Sequence, residues 1–231
     1  MRRFAVPSLP EDAGLFPLPP DTAHYATRVL RLQDGARVEL FDGQGRTATG
    51  ELRGAAVMIE ALQVHAALAS SLAIALPPLK GERMDWAIEK MGELGASVWW
   101  PLHTEFTQQH ELKAAKLERY ERIAQAAARQ SGGVHTLRIE KMTALTALPL
   151  AHAVVLDPRA EVALATVVAP EMVLVIGPEG GFSPAEHSFF ASQGVTRARL
   201  VPTILRAETA AIAALSVAAA RLTELMSPPR E

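Results

Sequence analysis

Hydrophobic spacing changes its period once along the chain, near residue 70. Before that point the apolar positions alternate over short stretches. Arg37-Val-Glu-Leu-Phe41 alternates and stops at the turn signal Asp42-Gly43-Gln44-Gly45. Arg46–Leu52 and Ala56–Leu62 have the composition of the strands that follow. Between Asp21 and Leu32 the pattern is helical, with Tyr25, Val29 and Leu32 on one face and Arg28 and Arg31 on another. A small β-barrel-like domain carrying one short helix is expected over residues 1–67.

From about Ser70 strand and helix patterns alternate. Leu72–Leu76 is a continuous apolar run, as expected of a strand covered on both faces. Glu82–Leu94 places Met84, Ala87, Ile88, Met91 and Leu94 on one side and ends at Gly95. Val98-Trp99-Trp100 begins a second strand, Leu112–Gln130 is a long helix, and Ala153–Leu156 and Met172–Ile176 are further buried strands. Such alternation predicts an α/β domain over 70–231, with a parallel sheet covered by helices. The final helix, about Ala207–Met226, carries no charge between Thr209 and Ala220. A helix apolar nearly all round is buried on more than one side. A second copy of the chain is the simplest cover for the side that the sheet does not take.

Composition narrows the chemistry. Among 231 residues there is no cysteine, which excludes disulfides, thiolate metal sites and a cysteine nucleophile. Methylation at a pyrimidine carbon ordinarily uses a covalent thiol adduct, so that reaction is excluded too. The seven histidines form no ligand-like cluster, and no metal is expected. Lys plus Arg is 23 against 25 Asp plus Glu, a net charge of −2. That counts against a nonspecific nucleic-acid coat and leaves room for a local arginine cluster. Met1-Arg2-Arg3 leads into no apolar signal core, and the apolar stretches are interrupted by polar residues or proline. A cytoplasmic protein without a membrane span is expected.

Three loops concentrate the chemistry: Leu156–Arg159, Ile176–Phe182 and Leu200–Arg206. Each is read as following an apolar strand, and ligands of open α/β sheets sit beyond the carboxyl ends of strands. Gly177, Gly180 and Gly181 let a ligand approach bare backbone. Ser183-Pro184-Ala185-Glu186 is a complete capping box that opens a helix. The loop lacks the spacing of a dinucleotide fingerprint and the lysine of a triphosphate loop. A tight strand-to-helix turn without a ligand remains an alternative.

Ile176-Gly-Pro-Glu-Gly-Gly-Phe-Ser183 with Glu186, together with Ile204-Leu-Arg-Ala-Glu-Thr-Ala210, resembles the two signature motifs of the ribosomal RNA small subunit methyltransferase E family. Lys80-Gly-Glu-Arg83, Lys90-Met-Gly-Glu-Leu-Gly95, His24 with Arg28-Val-Leu-Arg31, and Leu40-Phe-Asp-Gly43 agree with it. The resemblance implies a PUA-like RNA-binding domain followed by a SPOUT methyltransferase domain with a deep trefoil knot. It further implies a homodimer, S-adenosylmethionine as cofactor, and 16S rRNA, naked or in the small ribosomal subunit, methylated at a uracil N3. Two segments depart from the family pattern. Gln130-Ser131-Gly132-Gly133 lacks the usual arginine, and Val201 and Thr203 replace a glycine and an arginine.

In this reading Leu156, Ile176, Leu200, Ile204 and Leu205 form the cofactor's apolar surroundings, with Gly177, Pro178, Glu179, Gly180, Gly181, Pro202 and Thr209 beside it. Arg206 is the catalytic candidate because a cation at the start of a helix opposes the dipole and so calls for a functional reason. A salt bridge from Arg206 to Glu208 or Glu179 is the structural alternative. Glu208 is the second catalytic candidate, although a first-turn acid is also an ordinary helix feature. Arg2, Arg3, Arg28 and Arg31 are candidates for phosphate contacts. A non-catalytic RNA-binding or ribosome-assembly module, and a small-molecule enzyme holding an anion on the glycine loop, remain as competing classes.

Overall fold

The structure is a computed structural model and describes residues 1–66 and 71–226. The boundary expected between residues 67 and 70 lies outside the described residues. The chain divides into two compact units, Met1–Leu68 with Gln125–Thr136, and Ala69–Ala124 with Leu137–Glu231.

The first unit holds β1 (Arg2–Ala5), β2 (Gly14–Pro17), α1 (Pro20–His24), β3 (Arg37–Phe41), β4 (Arg46–Arg53) and β5 (Ala56–Val64). They form a five-stranded sheet in the order β1-β3-β4-β5-β2, in which β1 runs parallel to β3 and the other pairs are antiparallel. Alternation along β3 sends Val38 and Leu40 into the core beside Phe4, Leu52 and Val57.

The helix expected over 21–32 departs from its simple form. After α1 the backbone widens into a π turn over Tyr25–Val29, closed by the Leu30 N–H donating to Tyr25 O at 2.9 Å. The wider turn rotates later residues out of the 3.6-residue phase. Val29, expected on the apolar face, is therefore 56% exposed, and Ala26 is fully buried instead. Arg31 then takes a positive φ of 53°.

The second unit is built on β6 (Ser71–Leu76), α2 (Glu82–Glu93), β7 (Val98–His103), α3 (Ala114–Ser131), the short β8 (Arg138–Ile139) and β9 (Thr143–Ala144), β10 (Ala153–Leu156), β11 (Glu171–Val175), α4 (Pro184–Ser192), β12 (Thr196–Ala198) and α5 (Ala207–Met226). The last turns of α3 belong with the first unit. The main sheet runs β12-β10-β11-β6-β7-β8, with β9 paired to β7, and every pair is parallel.

Successive strand residues point to opposite faces, and both faces are dry. Leu72, Ile74, Leu76, Met172 and Leu174 join α2 and α5 in one cluster. Ala73, Ala75, Val173 and Val175 join Phe190 of α4 in another. This is why these strands read as continuous apolar runs. Among the described residues α5 is long and apolar enough to cross a membrane, and it packs one face on α2 and β6.

Candidate active site

The segments that follow β10, β11 and β12 enclose a cleft of about 750 Å³. Small-molecule sites typically occupy roughly 300–1,000 Å³. The segment after β11 is fixed at both ends. The Ile176 N–H donates to Ala75 O at 2.9 Å, and the Gly181 N–H closes a turn on Pro178 O at 2.8 Å. Gly181 has φ +73°, which only glycine adopts readily. A Cβ on Gly177 would stand 3.1 Å from Phe182, so the glycine lets that ring fold beneath the loop. The expected capping box is present. Glu186 N–H donates to Ser183 Oγ at 3.3 Å, and Ser183 N–H donates to Glu186 Oε2 at 2.8 Å.

The third segment differs from the sequence expectation. No apolar strand precedes it. β12 is three residues long at the edge of the sheet, and only Ala198 of it is buried. Position is set instead by pairing outside β12: the Arg199 N–H donates to Val162 O at 2.7 Å and Arg199 O accepts from Leu164 N–H at 2.8 Å.

Asp157 organises the acidic side of the cleft. It is 8% exposed, and burial alone would raise its pKa. Hydrogen bonds from the Arg197 guanidinium and the Arg159 N–H outweigh that, so its pKa lies below the usual carboxylate range. Glu179 is also held below its ordinary value, first by its own backbone N–H, against desolvation, and then by Arg83 at 3.0 Å. Arg83 reaches Glu208 as well, at 3.6 Å. Within the described residues the N–H groups of Gly177, Gly180 and Leu205 donate to no other part of the chain. Unspent backbone donors beside Leu156, Ile176 and Leu205 match a ligand that is part heterocycle and part polar chain, which S-adenosylmethionine is.

Comparison with known proteins fits this geometry. The model of an RNA methyltransferase domain matches residues 67–219, and that of an RNA methyltransferase PUA domain matches residues 18–56. Ribosomal RNA small subunit methyltransferase E of Synechocystis is 35% identical over 222 residues, covering 84% of this chain and 69% of its own. The chain belongs to the ribosomal RNA small subunit methyltransferase E family. A protein of Legionella pneumophila, solved with bound S-adenosylmethionine, superposes with a TM-score of 0.83 at 28% identity, covering 94% of this chain and 96% of its own. The family member from Neisseria gonorrhoeae, bound to S-adenosylmethionine, has the same fold: TM-score 0.81, 24% identity, 97% of this chain and 98% of its own.

Within this family member the structure gathers most of the expected residues. Leu156, Ile176, Gly177, Pro178, Glu179, Gly180, Gly181, Leu200, Ile204, Leu205 and Arg206 all line the cleft. Pro202 and Thr209 are exposed and stand off its wall. Glu208 is also off the wall, 7% exposed and turned to Arg83, with one carboxylate oxygen lacking a hydrogen bond. Arg206 makes no salt bridge to Glu179 or Glu208, because Arg83 holds both. In the first unit Arg2, Arg28 and Arg31 are exposed. Arg3 is occupied: its guanidinium donates to Ala128 O and Gly133 O, pairs with Glu39 and lies over the Phe41 ring. Sequence reasoning missed Arg83, His187 and Arg197. Arg197 lies in a strand too polar to stand out, His187 meets the cleft only through tertiary packing, and Arg83 is tied to it only through its pair with Glu179.

Proposed function

We propose that this protein transfers the methyl group of S-adenosylmethionine to N3 of a uridine in 16S rRNA. One observation carries the reading. In a chain of this family, both signature segments, 176–183 and 204–210, border one cleft, and its rim bears Arg206, which forms no salt bridge among the described residues. Bound there, the cofactor supplies an electrophilic methyl group on a sulfonium whose thioether leaves without further activation.

The remaining work falls to the chain's own residues. Leu156, Ile176, Leu200 and Leu205 give the nucleoside an apolar bed, and the free N–H groups of Gly177, Gly180 and Leu205 are hydrogen-bond donors for it. Pro178 and Gly181 hold the turn that presents those donors. Uracil N3 becomes nucleophilic as its proton leaves and charge spreads onto the flanking carbonyl oxygens. Arg206 is the donor for that charge, stronger in the transition state than in the ground state. Glu179 and Glu208, bridged by Arg83, are positioning residues that tie the glycine loop to the start of α5. Arg2, Arg28 and Arg31 of the PUA-like unit serve as phosphate contacts, which set register rather than read bases. Arg3 serves the fold of that unit. The working form is a homodimer in the cytoplasm, acting on 16S rRNA or the small ribosomal subunit, and the trefoil knot belongs to this family reading.

The test is incubation of the protein with S-adenosylmethionine and either naked 16S rRNA or small subunits, followed by nucleoside digestion and mass spectrometry. The expected product is 3-methyluridine. A carbon- or ribose-methylated nucleoside would refute the N3 assignment. RNA binding without cofactor binding would favour the non-catalytic assembly module.

A further inference from the structure

His187 is a cleft residue that the family motifs do not explain. It stands one residue past the capping-box glutamate on α4 and lines the cleft. Its ring meets Phe182 edge to face, with centroids 6.0 Å apart. The two ring nitrogens differ. Nδ1 is shielded from solvent and has no hydrogen-bond partner. Nε2 makes no hydrogen bond within the described residues and is not shielded.

That asymmetry selects a tautomer. A buried N–H without an acceptor is rarer and costlier than a buried acceptor without a donor. In its neutral form the ring therefore keeps Nδ1 bare and carries its proton on Nε2, the accessible nitrogen of a side chain that lines the cleft. The carboxylate oxygens of Asp157 already accept from the Arg159 N–H and the Arg197 guanidinium. Position sorts the ligand. His187 is half-buried behind the glycine loop, whereas Arg206 and the 89% exposed Ile204 mark the open rim. A macromolecular substrate meets the rim, and a small ligand fills the interior.

We infer that His187 binds the methyl donor directly, its Nε2–H donating to a nitrogen or oxygen acceptor of S-adenosylmethionine. This rests on the methyltransferase reading of the same cleft. The competing role is packing against Phe182, and three variants separate the two. His187→Gln places an amide near the Nε2 position. His187→Asn reaches only as far as Nδ1. His187→Leu keeps an apolar side chain of similar reach beneath Phe182.

The experiment is calorimetric titration of S-adenosylmethionine into the wild-type chain and each variant, with folding checked by circular dichroism. Loss of one good hydrogen bond corresponds to about tenfold in Kd. The Gln variant is expected within about threefold of wild type, and Asn and Leu about tenfold weaker. A Leu variant that binds like wild type, or an Asn variant that matches Gln, overturns the inference and leaves the methyltransferase reading standing. A wild-type protein that fails to bind S-adenosylmethionine overturns both. Nitrogen-15 NMR of the free protein adds a readout independent of binding: the Nε2–H tautomer is expected at His187, and the Nδ1–H tautomer would overturn the argument.

Discussion

Arg206 occupies the cap position of α5, where its carbonyl accepts from Ala210 N–H at 2.8 Å. A cation at that end of a helix costs about 0.3–1 kcal/mol. Among the described residues Arg206 forms no salt bridge that would offset the cost, and Glu179 and Glu208 both pair with Arg83. An unfavourable charge kept without a partner fits a ligand that supplies one. Arg206→Ala should lower single-turnover methylation by about 10²–10³ and leave the Kd for S-adenosylmethionine near wild type. Arg206→Lys should recover only part, because an ammonium lacks the planar fork. Raising the pH ionises the substrate imide and should narrow the gap between variant and wild type. A folded alanine variant with wild-type turnover would remove Arg206 from the chemistry. Arg31 presents a similar conflict in the backbone, a non-glycine residue at φ +53° whose side chain is exposed. Glycine relieves that conformation, so Arg31→Gly should stabilise the fold by about 0.5–1 kcal/mol in urea denaturation. The same variant should bind 16S rRNA more weakly and with a shallower salt dependence. Unchanged RNA affinity and salt slope would make Arg31 plain surface. Charge type and spacing made both arginines visible in the sequence. They could not show that Arg3 is consumed by Ala128 O, 125 residues away.

Elements were legible where periodicity and burial agree. β6, β10 and β11 are apolar because both faces of the parallel sheet are covered, and α2 shows its stripe and its glycine stop. Elements fixed by their neighbours were not legible. β12 exists through pairing with β10, and the π turn at Tyr25–Val29 leaves no mark in hydrophobic spacing. The capping box of α4 is the opposite case, a local motif that local chemistry completes. Packing of α3 on β7 yields a prediction of its own. Tyr120 is fully buried with its ring edge-on to Trp99 at 5.6 Å, and its hydroxyl has no hydrogen-bond partner among the described residues. Burial first, then the Asp85 charge, pushes its pKa up to about 12. The folded pKa lies above the unfolded one, so the contribution to stability is complete below about pH 10 and lost as pH rises through 12. The loss attributable to Tyr120 should reach about 2–3 kcal/mol. Tyr120→Phe should flatten that limb of the pH–stability curve. At neutral pH it should cost little, because it also removes an unsatisfied hydroxyl. Parallel curves for the two proteins between pH 9 and 12 would refute the account.

At the scale of the whole molecule, the change of rhythm near residue 70 led to an expectation of two domains. It could not reveal that Gln125–Thr136 packs with the first, since that depends on long-range contacts such as Thr136 N–H to Gly43 O at 2.9 Å. The final helix carries the remaining argument. Its buried residues, Ala211, Ala214, Leu215, Ala218 and Leu222, follow one stripe against α2 and the sheet. Only 28% of its most apolar window is buried within the chain. Ile212, Ala213, Ser216, Val217 and Ala219 are left half-covered, without a charge among them. A soluble monomer would gain from charges on such a face, whereas a helix paired with a second copy would not. Sedimentation equilibrium at micromolar concentration should therefore return twice the chain mass of 24.8 kDa. Ala213→Glu places a charge on the side of the helix that does not pack on the core cluster, so it should lower the mass toward one chain while preserving helical content. Because the cleft includes Ala207 and Ala210 at the start of the same helix, the separated variant should also bind S-adenosylmethionine more weakly. A wild-type chain that sediments as a monomer would remove the reason for this face being apolar. An Ala213→Glu variant that stays dimeric would place the interface elsewhere.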